Sequence, residues 1–246
     1  MILQPFFSYF GSKWRLAVHY PVPRFSSIVE PFAGSAGYCL HHPSAKVHLV
    51  DKNPVVVGIW RYLLAVSEAE ILAIPDVPAG GSIDDLPRGL PEEARWLVGF
   101  WLQRGGVRPM SGTSGWFSKV PHHPSFWGAN IRERIARQLS AIRHWTVAQG
   151  DYDSVDPQKA TWFVDPPYQG PGSRYPCSAR SIDYGHLGLW CRALPGQVIV
   201  CEQEGASWLP FRPCSDVRSV NGKVTREVIW TNDPPRHEQM SLFADK

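Results

Sequence analysis

The sequence lacks the apolar segments that would place it in a membrane or send it out of the cell. No run of about 18 apolar residues occurs anywhere in the chain. The first five residues, MILQP, contain neither the positive charges nor the long apolar core of a secretory signal. We therefore expect a cytoplasmic protein with no membrane partner.

The cysteines and histidines are not spaced like the ligands of a metal site. The five cysteines are an odd number without a C-x-x-C pair, so neither a disulfide framework nor a zinc cluster follows from them. His122 and His123 have no acidic or cysteine partner at ligand spacing, so we interpret both as loop residues. The sequence predicts no metal.

An excess of charge of one sign is also missing. The formal net charge is only +3, which is too small to indicate a nucleic-acid partner by itself. Any surface that faces DNA must therefore concentrate its charge locally. A chain of 246 residues is long enough for one sizeable core and an insertion, so we expect a single α/β domain with a smaller subdomain.

Acidic residues follow several of the apolar segments that we interpret as strands. We predict strands at residues 27–29, 46–50, 145–149, 161–164, 197–202 and 226–231. The continuous apolar run at 197–202 is typical of a sheet covered on both faces. Carboxylates stand at four strand ends, namely at Glu30, Asp51, Asp151 and Asp165. Ligands of such sheets bind beyond the carboxyl ends of the strands, so we expect these four residues to share a site.

The tetrapeptide DPPY at residues 165–168 has the parts of a pocket for the amine of a nucleobase. Such an amine is a weak nucleophile because its lone pair is delocalised into the ring, so a site must hold it through acceptors. Asp165 offers a carboxylate, and neither Pro166 nor Pro167 carries a competing N–H group. Tyr168 adds a flat face for a base swung out of its helix. The alternative is an ordinary proline-rich turn after a strand.

A glycine turn and a second strand have the features of a nucleoside-cofactor site. Residues 27–38 read as a strand, a glycine turn and a helix whose N-terminus offers N–H groups to an anion. Glu30 is suited either to accept from a cofactor ammonium or to cap the turn. Asp51, after the strand at 46–50, is suited to accept from ribose hydroxyls. A helix cap or turn at 51–54 is the alternative.

Taken in order, these motifs carry a family resemblance. They are YFGSK at 9–13, EPFAGSAG at 30–37, Asp51, GDY at 150–152 and DPPY at 165–168. The chain resembles the D12-class (Dam-like) DNA adenine-N6 methyltransferases over most of residues 6–235. The resemblance implies a Rossmann-like sheet with helices on both faces, S-adenosyl-L-methionine as the cofactor, and methyl transfer to N6 of a flipped adenine in double-stranded DNA. Ser12 departs from the family, which often has a second glycine there.

The resemblance also implies roles for residues at matching positions. Cofactor contacts fall on Tyr9, Lys13, Glu30, Pro31, Phe32, Gly34, Asp51, Asp151 and Asp165. The target-amine pocket falls on Asp165, Pro166 and Tyr168. Considered alone, Lys13 is equally a solvated charge on a helix over 14–19, and Asp151 is equally a turn residue. The implied catalytic domain covers residues 1–66 and 144–235, with an inserted target-recognition subdomain at 67–143 and a tail at 236–246.

The insertion has the composition of a DNA-contacting loop. We predict helices at 92–104 and 132–143, joined by a loop of glycines, basic residues, histidines and aromatics that suits phosphate and base contacts. A flexible loop with incidental charges is the alternative. The DNA-contact candidates are Arg104, Arg108 and Lys119, with Arg174 and Tyr175 from the loop after the DPPY segment. We interpret Arg132, Arg134 and Arg137 as the solvated face of a helix.

The expected mechanism is direct displacement. Asp165 and the Pro166 carbonyl accept hydrogen bonds from N6 and steer its lone pair, while Tyr168 stacks on the adenine. Three alternatives stay open: the same chemistry on cytosine N4 or RNA adenine, an inactive module that still binds cofactor or DNA, and a Rossmann-like enzyme acting on a small molecule.

Overall fold

The protein, described here from a computed structural model, is built around one mixed sheet. The structure describes residues 1–103, 105–115, 119, 123–169, 181–218 and 224–233, with the backbone alone at 216–218 and 224–225. Arg104, His122, Arg174 and Tyr175 lie outside the described residues.

Seven strands of the described chain form the sheet, and five of them are joined by parallel pairing. They are β1 (Ser27–Glu30), β2 (Lys46–Asp51), β3 (Thr146–Gln149), β4 (Ala160–Val164), β5 (Gly196–Gln203), β6 (Arg212–Arg218) and β7 (Val224–Thr231). Their order is β3-β2-β1-β4-β5-β7-β6, in which β7 runs antiparallel to both of its neighbours. The parallel part follows the 3-2-1-4-5 order of doubly wound sheets, so the architecture is compatible with a Rossmann-like fold.

The described α-helices are α1 (Pro54–Ala65), α2 (Glu68–Ala73), α3 (Glu92–Leu102), α4 (Ala129–Gln138) and α5 (Tyr184–Ala193). Side chains cap the N-terminus of α1, α2 and α5. The Asn53 side chain accepts from the Val55 N–H at the start of α1, where a proline occupies the first turn. Ser67 and Glu70 form a capping box at α2. None of the described helices is long and apolar enough to cross a membrane.

Both faces of the sheet are covered by apolar side chains. Leu49 of β2 belongs to a core cluster with Trp60 of α1, Leu97 of α3 and Ile131 of α4. On the other face, the strand residues pack against α5 around Leu187. Full burial of one such side chain stabilises the fold by about 1.5–3 kcal/mol. Segments from the predicted insertion thus share a core with the sheet, while the predicted domain boundaries stay predictions.

The polar amino-terminal edge of the sheet is held by a bonded network. The Thr161 hydroxyl donates to Gln197 Oε1 at 2.8 Å, and the Arg24 N–H donates to the same oxygen at 2.8 Å. The Gln197 amide donates in turn to the Val22 carbonyl and to Asp233 Oδ2, at 3.1 and 2.7 Å. This network ties β4 and β5 to the segments before β1 and after β7.

Several local predictions were wrong. In place of a helix over 14–19 there are two short 3-10 turns, Lys13–Arg15 and Ala17–His19. Only the 3-10 turn Cys39–His41 follows the glycine turn, because Gly34 and Ala36 take left-handed backbone conformations with φ of 45° and 52°.

The remaining differences concern element ends and one strand. The helix predicted over 92–104 ends at Leu102, and the one predicted over 132–143 is α4 followed by the 3-10 turn Leu139–Ile142. Strand β6 was not predicted at all. It lies at the end of the sheet and contains Pro213, and its pairing with β7 shifts register between Pro213 and Ser215. An edge position tolerates both features.

Candidate active site

A cavity of about 210 Å³ opens at the carboxyl ends of β1, β2, β3 and β4. Its walls come from residues 9–13, 30–35, 37, 51–53, 150–153, 163, 165, 167 and 181–183. All nine residues predicted to contact a cofactor are among them. Of the predicted amine-pocket residues, Asp165 lines the cavity, whereas Pro166 and Tyr168 are not among the lining residues.

The glycine turn shapes the floor of this cavity. Gly34 has a φ of 45°, and a Cβ there would lie 3.2 Å from the Tyr9 ring. At Gly37 a Cβ would lie 2.6 Å from the backbone nitrogen of Trp14, so any larger residue would push the glycine turn away from the segment that contains Trp14. The Trp60 indole N–H donates to the Gly34 carbonyl at 2.8 Å. The turn therefore holds the Tyr9 segment against β1.

Asp51 links the glycine turn to the start of α1. One of its oxygens accepts from the Gly34 N–H at 2.9 Å and the other from the Asn53 N–H at 2.8 Å. Burial raises the pKa of Asp51 to about 6, against the effect of these hydrogen bonds. Each carboxylate oxygen has a second lone pair, so Asp51 retains the capacity to accept from hydroxyl groups.

Glu30 is almost fully buried at the end of β1. It is 2% exposed, and its carboxyl group accepts from the Cys39 N–H at 2.8 Å. Burial raises the pKa of Glu30 to about 8, so the group is mainly protonated at neutral pH. A cation in the cavity would favour its ionised form. Glu30 thus both braces the turn after β1 and lines the cavity.

Lys13 lies in the protein interior beside Asp165. It is 8% exposed, which contradicts the alternative of a solvated lysine. Its ammonium nitrogen is 3.3 Å from Asp165 Oδ1 and 3.5 Å from Glu227 Oε1. Burial raises the pKa of Asp165 to about 7, Lys13 opposes this shift, and Glu227 adds to it. Asp165 therefore titrates near neutrality.

Glu227 of β7 is a site residue that sequence reasoning missed. It is 5% exposed, and its Oε1 atom accepts from the Tyr168 hydroxyl at 2.7 Å and from the Tyr20 hydroxyl at 2.9 Å. The Lys13 ammonium lies 4.4 Å from the centroid of the Tyr168 ring. The sequence signal for a buried Glu227 was its place in the strand predicted at 226–231, directly before the apolar residues Val228 and Ile229, both of which are buried.

The segment after β4 is fixed by two further contacts. The Tyr184 hydroxyl donates to the Pro167 carbonyl. The Gln169 N–H donates at 3.1 Å to Glu202 of β5, a second carboxyl group that was not predicted and is 1% exposed. With the Tyr168 hydroxyl bound to β7, the stiff proline pair is braced at three points.

Aromatic rings and one exposed ion pair complete the wall. Phe32 stacks on Tyr152, with ring centroids 5.5 Å apart and an interplanar angle of 25°. The Tyr152 hydroxyl lies 2.6 Å from His186 Nδ1. Asp151 accepts from the Tyr152 N–H and forms an ion pair of 2.7 Å with Lys52. The arrangement offers a flat apolar surface flanked by carboxylates.

The basic residues of the predicted insertion differ in how exposed their side chains are. Arg108 and Lys119 are exposed, as DNA-contact candidates must be, and neither lines the cavity. Of the three arginines expected on a solvated face, only Arg137 is well exposed. Arg134 lies 5.0 Å from the Trp101 ring and donates to a backbone carbonyl, and Arg132 pairs with an aspartate. That expectation was wrong for Arg132 and Arg134, because their guanidinium groups pack inward.

Neither a metal-ligand cluster among the described residues nor a matching protein family was found. Within the described part of the chain, no group of three or more histidine, cysteine, aspartate or glutamate side chains could hold a metal ion. No protein-family model matches this chain, and comparison with curated proteins finds no match either.

Proposed function

We propose that this protein is an S-adenosyl-L-methionine-dependent methyltransferase that modifies N6 of adenine in DNA. One observation carries the proposal. A single cavity at the carboxyl edge of the sheet gathers side chains from five separate segments, represented by Tyr9, Glu30, Asp51, Asp151 and Asp165. These are the segments that carry the resemblance to D12-class methyltransferases, and their convergence supports a common role.

The donor set of the cavity fits this cofactor. Asp51 has lone pairs left for ribose hydroxyls, and Phe32 with Tyr152 forms an aromatic wall suited to a purine. Glu30 and Lys13 would face the oppositely charged ends of the amino-acid portion. The bound cofactor supplies an electrophilic methyl group on a sulfonium, so the protein has to supply only position and electrostatics.

Asp165 is the acceptor that directs the amine. In its ionised form the carboxylate accepts a hydrogen bond from N6 and orients the nitrogen lone pair. Its pKa near 7 leaves it largely ionised at pH 8, and the neighbouring Lys13 ammonium favours that form. The Pro166 carbonyl supplies a second acceptor, and Tyr168 supplies a flat face for the flipped base.

The test is methyl transfer with identification of the product. Purified protein is incubated at pH 8 with labelled S-adenosyl-L-methionine and unmethylated duplex DNA, and the DNA is digested to nucleosides. We expect label in N6-methyladenine, and a loss of at least about 10³-fold in Asp165→Ala because the amine loses its main acceptor. Asp156→Asn, an exposed aspartate outside the cavity, is the matched control and keeps full transfer.

The other outcomes separate the alternatives. Label in N4-methylcytosine, or in RNA when RNA is offered, keeps the cofactor and changes the substrate. Cofactor binding without any transfer to nucleic acid identifies a binding module, and transfer to a small molecule alone identifies a different enzyme. Full activity of Asp165→Ala would contradict the assignment of this residue.

A further inference from the structure

A buried carboxylate lies directly behind the segment that carries Asp165. One oxygen of Glu227 receives two tyrosine hydroxyls, from Tyr20 and Tyr168, and the Lys13 ammonium lies 3.5 Å from the same atom. Glu227 is 5% exposed, and removing a carboxylate from water costs free energy. The two hydroxyl donors and the ammonium offset that cost. Glu227 does not line the cavity and does not reach a ligand there.

We propose that Glu227 is a positioning residue for methyl transfer, which fixes the Tyr168 ring and the Lys13 ammonium beside Asp165 without touching substrate. The inference rests on the proposed function. It assigns a role to a residue of β7, a strand far along the chain from the motifs that carry the resemblance.

Glu227 acts first by fixing the Tyr168 ring. A tyrosine side chain rotates about two bonds, so a ring without a partner for its hydroxyl would sample several orientations. The 2.7 Å bond to Glu227 fixes the distal end of the ring, while the DPPY backbone fixes the other end. Glu227 is a rigid attachment point because β7 pairs with β5 on one side and with β6 on the other.

Glu227 acts secondly through its negative charge, which attracts the Lys13 ammonium. Lys13 lies between Asp165 and Glu227, at 3.3 and 3.5 Å, and its positive charge is shared by the two carboxylates. The negative charge of Glu227 raises the pKa of Asp165, and Lys13 lowers it. Removing the charge of Glu227 leaves Lys13 to act on Asp165 alone, so Asp165 should then titrate at lower pH.

Burial raises the pKa values of the tyrosine and cysteine groups near Glu227, so these groups stay neutral around pH 7. The groups that face it are Lys13 and Tyr20 from the N-terminal segment, Asp165 and Tyr168 from the DPPY segment, Cys201 from β5 and Cys214 from β6. Burial raises the pKa of the Cys214 thiol to about 11 and that of Cys201 well above its usual value. A change in titration near pH 7 therefore reports on Asp165.

The main experiment compares the wild-type protein with Glu227→Gln and with Glu204→Gln. Glutamine keeps the size of the side chain and removes the charge. Glu204 is an exposed residue near β7 that forms an ion pair with Arg226. Because Glu204→Gln removes the same charge at the surface, it serves as the charge-matched control. For each protein we would measure kcat, KM for the cofactor, and the titration of Asp165 by carbon-13 NMR of labelled aspartate, assigned with Asp165→Asn.

We expect Glu227→Gln to lower kcat by about 10- to 100-fold, since misplacement of reacting groups by about 1 Å has effects of this size. The change in kcat should exceed the change in KM. The Asp165 titration should move to lower pH, a displacement that a purely structural defect would not produce. Glu204→Gln should change neither quantity.

A second variant keeps the proposal testable if Glu227→Gln fails to fold. Tyr168→Phe retains the ring and removes only the hydroxyl that Glu227 accepts. We expect kcat to fall about tenfold, and the double variant to lose less than the product of the two single losses, because both changes break one contact. Thermal unfolding of each protein checks that it is folded.

Two results would overturn the role of Glu227: a wild-type kcat in Glu227→Gln with an unshifted Asp165 titration, or a wild-type kcat in Tyr168→Phe. Failure of the proposed function looks different, because the wild-type protein would then transfer no methyl group at all. The NMR titration needs no turnover, so even in that case it decides whether Glu227 controls the ionisation of Asp165.

Discussion

The two edges of the parallel sheet both bury polar side chains, and they differ in how those side chains are satisfied. At the amino-terminal edge, Gln197 and Thr161 are uncharged, and their polar groups are bonded to neighbouring segments. At the carboxyl-terminal edge, burial outweighs the hydrogen bonds of Glu30, Asp51 and Asp165 and raises their pKa values to about 8, 6 and 7.

The difference separates a structural edge from one whose carboxyl groups can respond to a ligand. Neutral groups with satisfied hydrogen bonds hold strands together and gain nothing from an added ligand. Buried carboxyl groups near their titration point gain stability when a cation or a hydrogen-bond donor enters. Four predictions use this contrast.

The largest expected effect is a fall in stability with rising pH. Because the pKa values of Glu30, Asp51 and Asp165 are raised by burial, the folded protein binds more protons than the unfolded chain between about pH 4 and pH 8. The stabilisation is complete below pH 4 and is lost as pH rises through the folded values. We expect the free energy of unfolding to drop by several kcal/mol between pH 5 and pH 8, because each pKa unit by which a folded value exceeds its unfolded value corresponds to about 1.4 kcal/mol.

Urea unfolding at several pH values measures this slope. Glu30→Gln keeps an oxygen for the Cys39 N–H and removes the group with the highest pKa of the three, so it should flatten the curve. An identical pH dependence in the variant and the wild type would contradict the assignment.

The second prediction concerns the structural edge. Gln197→Ala removes an acceptor for Thr161 and for the Arg24 N–H, and we expect it to lower the free energy of unfolding by about 2–3 kcal/mol. Activity per folded molecule should be unchanged. The exposed Gln158→Ala is the control. A Gln197→Ala protein of normal stability and altered kcat would break the contrast between the edges.

The third prediction concerns Asp51. Asp51→Asn removes the charge and replaces one acceptor oxygen by a donor that opposes the Gly34 or Asn53 N–H. We expect the cofactor Kd to rise about tenfold, equivalent to about 1.4 kcal/mol. Isothermal titration calorimetry would measure it, with Asp156→Asn as the control. Unchanged affinity would remove Asp51 from the cofactor site.

The smallest effect is expected at the cavity mouth. Lys52 and Asp151 form an ion pair whose side chains are 52% and 40% exposed. Water and salt screen such pairs, so Lys52→Ala should change the free energy of unfolding by at most about 0.5 kcal/mol, and less at high salt. A loss above about 2 kcal/mol in chemical denaturation would show that this pair behaves like a buried one.

The parts of the fold that were predictable are those with local signals. Strands β1 to β5 and β7 were located to within two residues, because each is a continuous or alternating apolar run. Strand β6 has Pro213 and few apolar residues, and only its pairing with β7 makes it a strand. The helix expected after the glycine turn fails because Ala36 adopts a left-handed conformation that the sequence does not indicate.

The candidate site divides in the same way. The nine predicted cofactor residues were accessible to motif reasoning because they belong to motifs at strand ends or around glycine turns. The contact of Lys13 with Glu227 joins opposite ends of the described chain, and no local pattern encodes such a pairing. The position of Glu227 beside the apolar residues Val228 and Ile229 of a predicted strand was the one local signal for a buried carboxylate.

The contact between Lys13 and Glu227 has a consequence for when the candidate site is completed during synthesis. Lys13 leaves the ribosome early, whereas Glu227 is added long after Asp165, so a nascent chain carries the first two charges without the third. Only when β7 inserts between β5 and β6 does the Tyr168 hydroxyl find its acceptor. The contacts around Asp165 are therefore complete only after nearly all of the described chain has been synthesised.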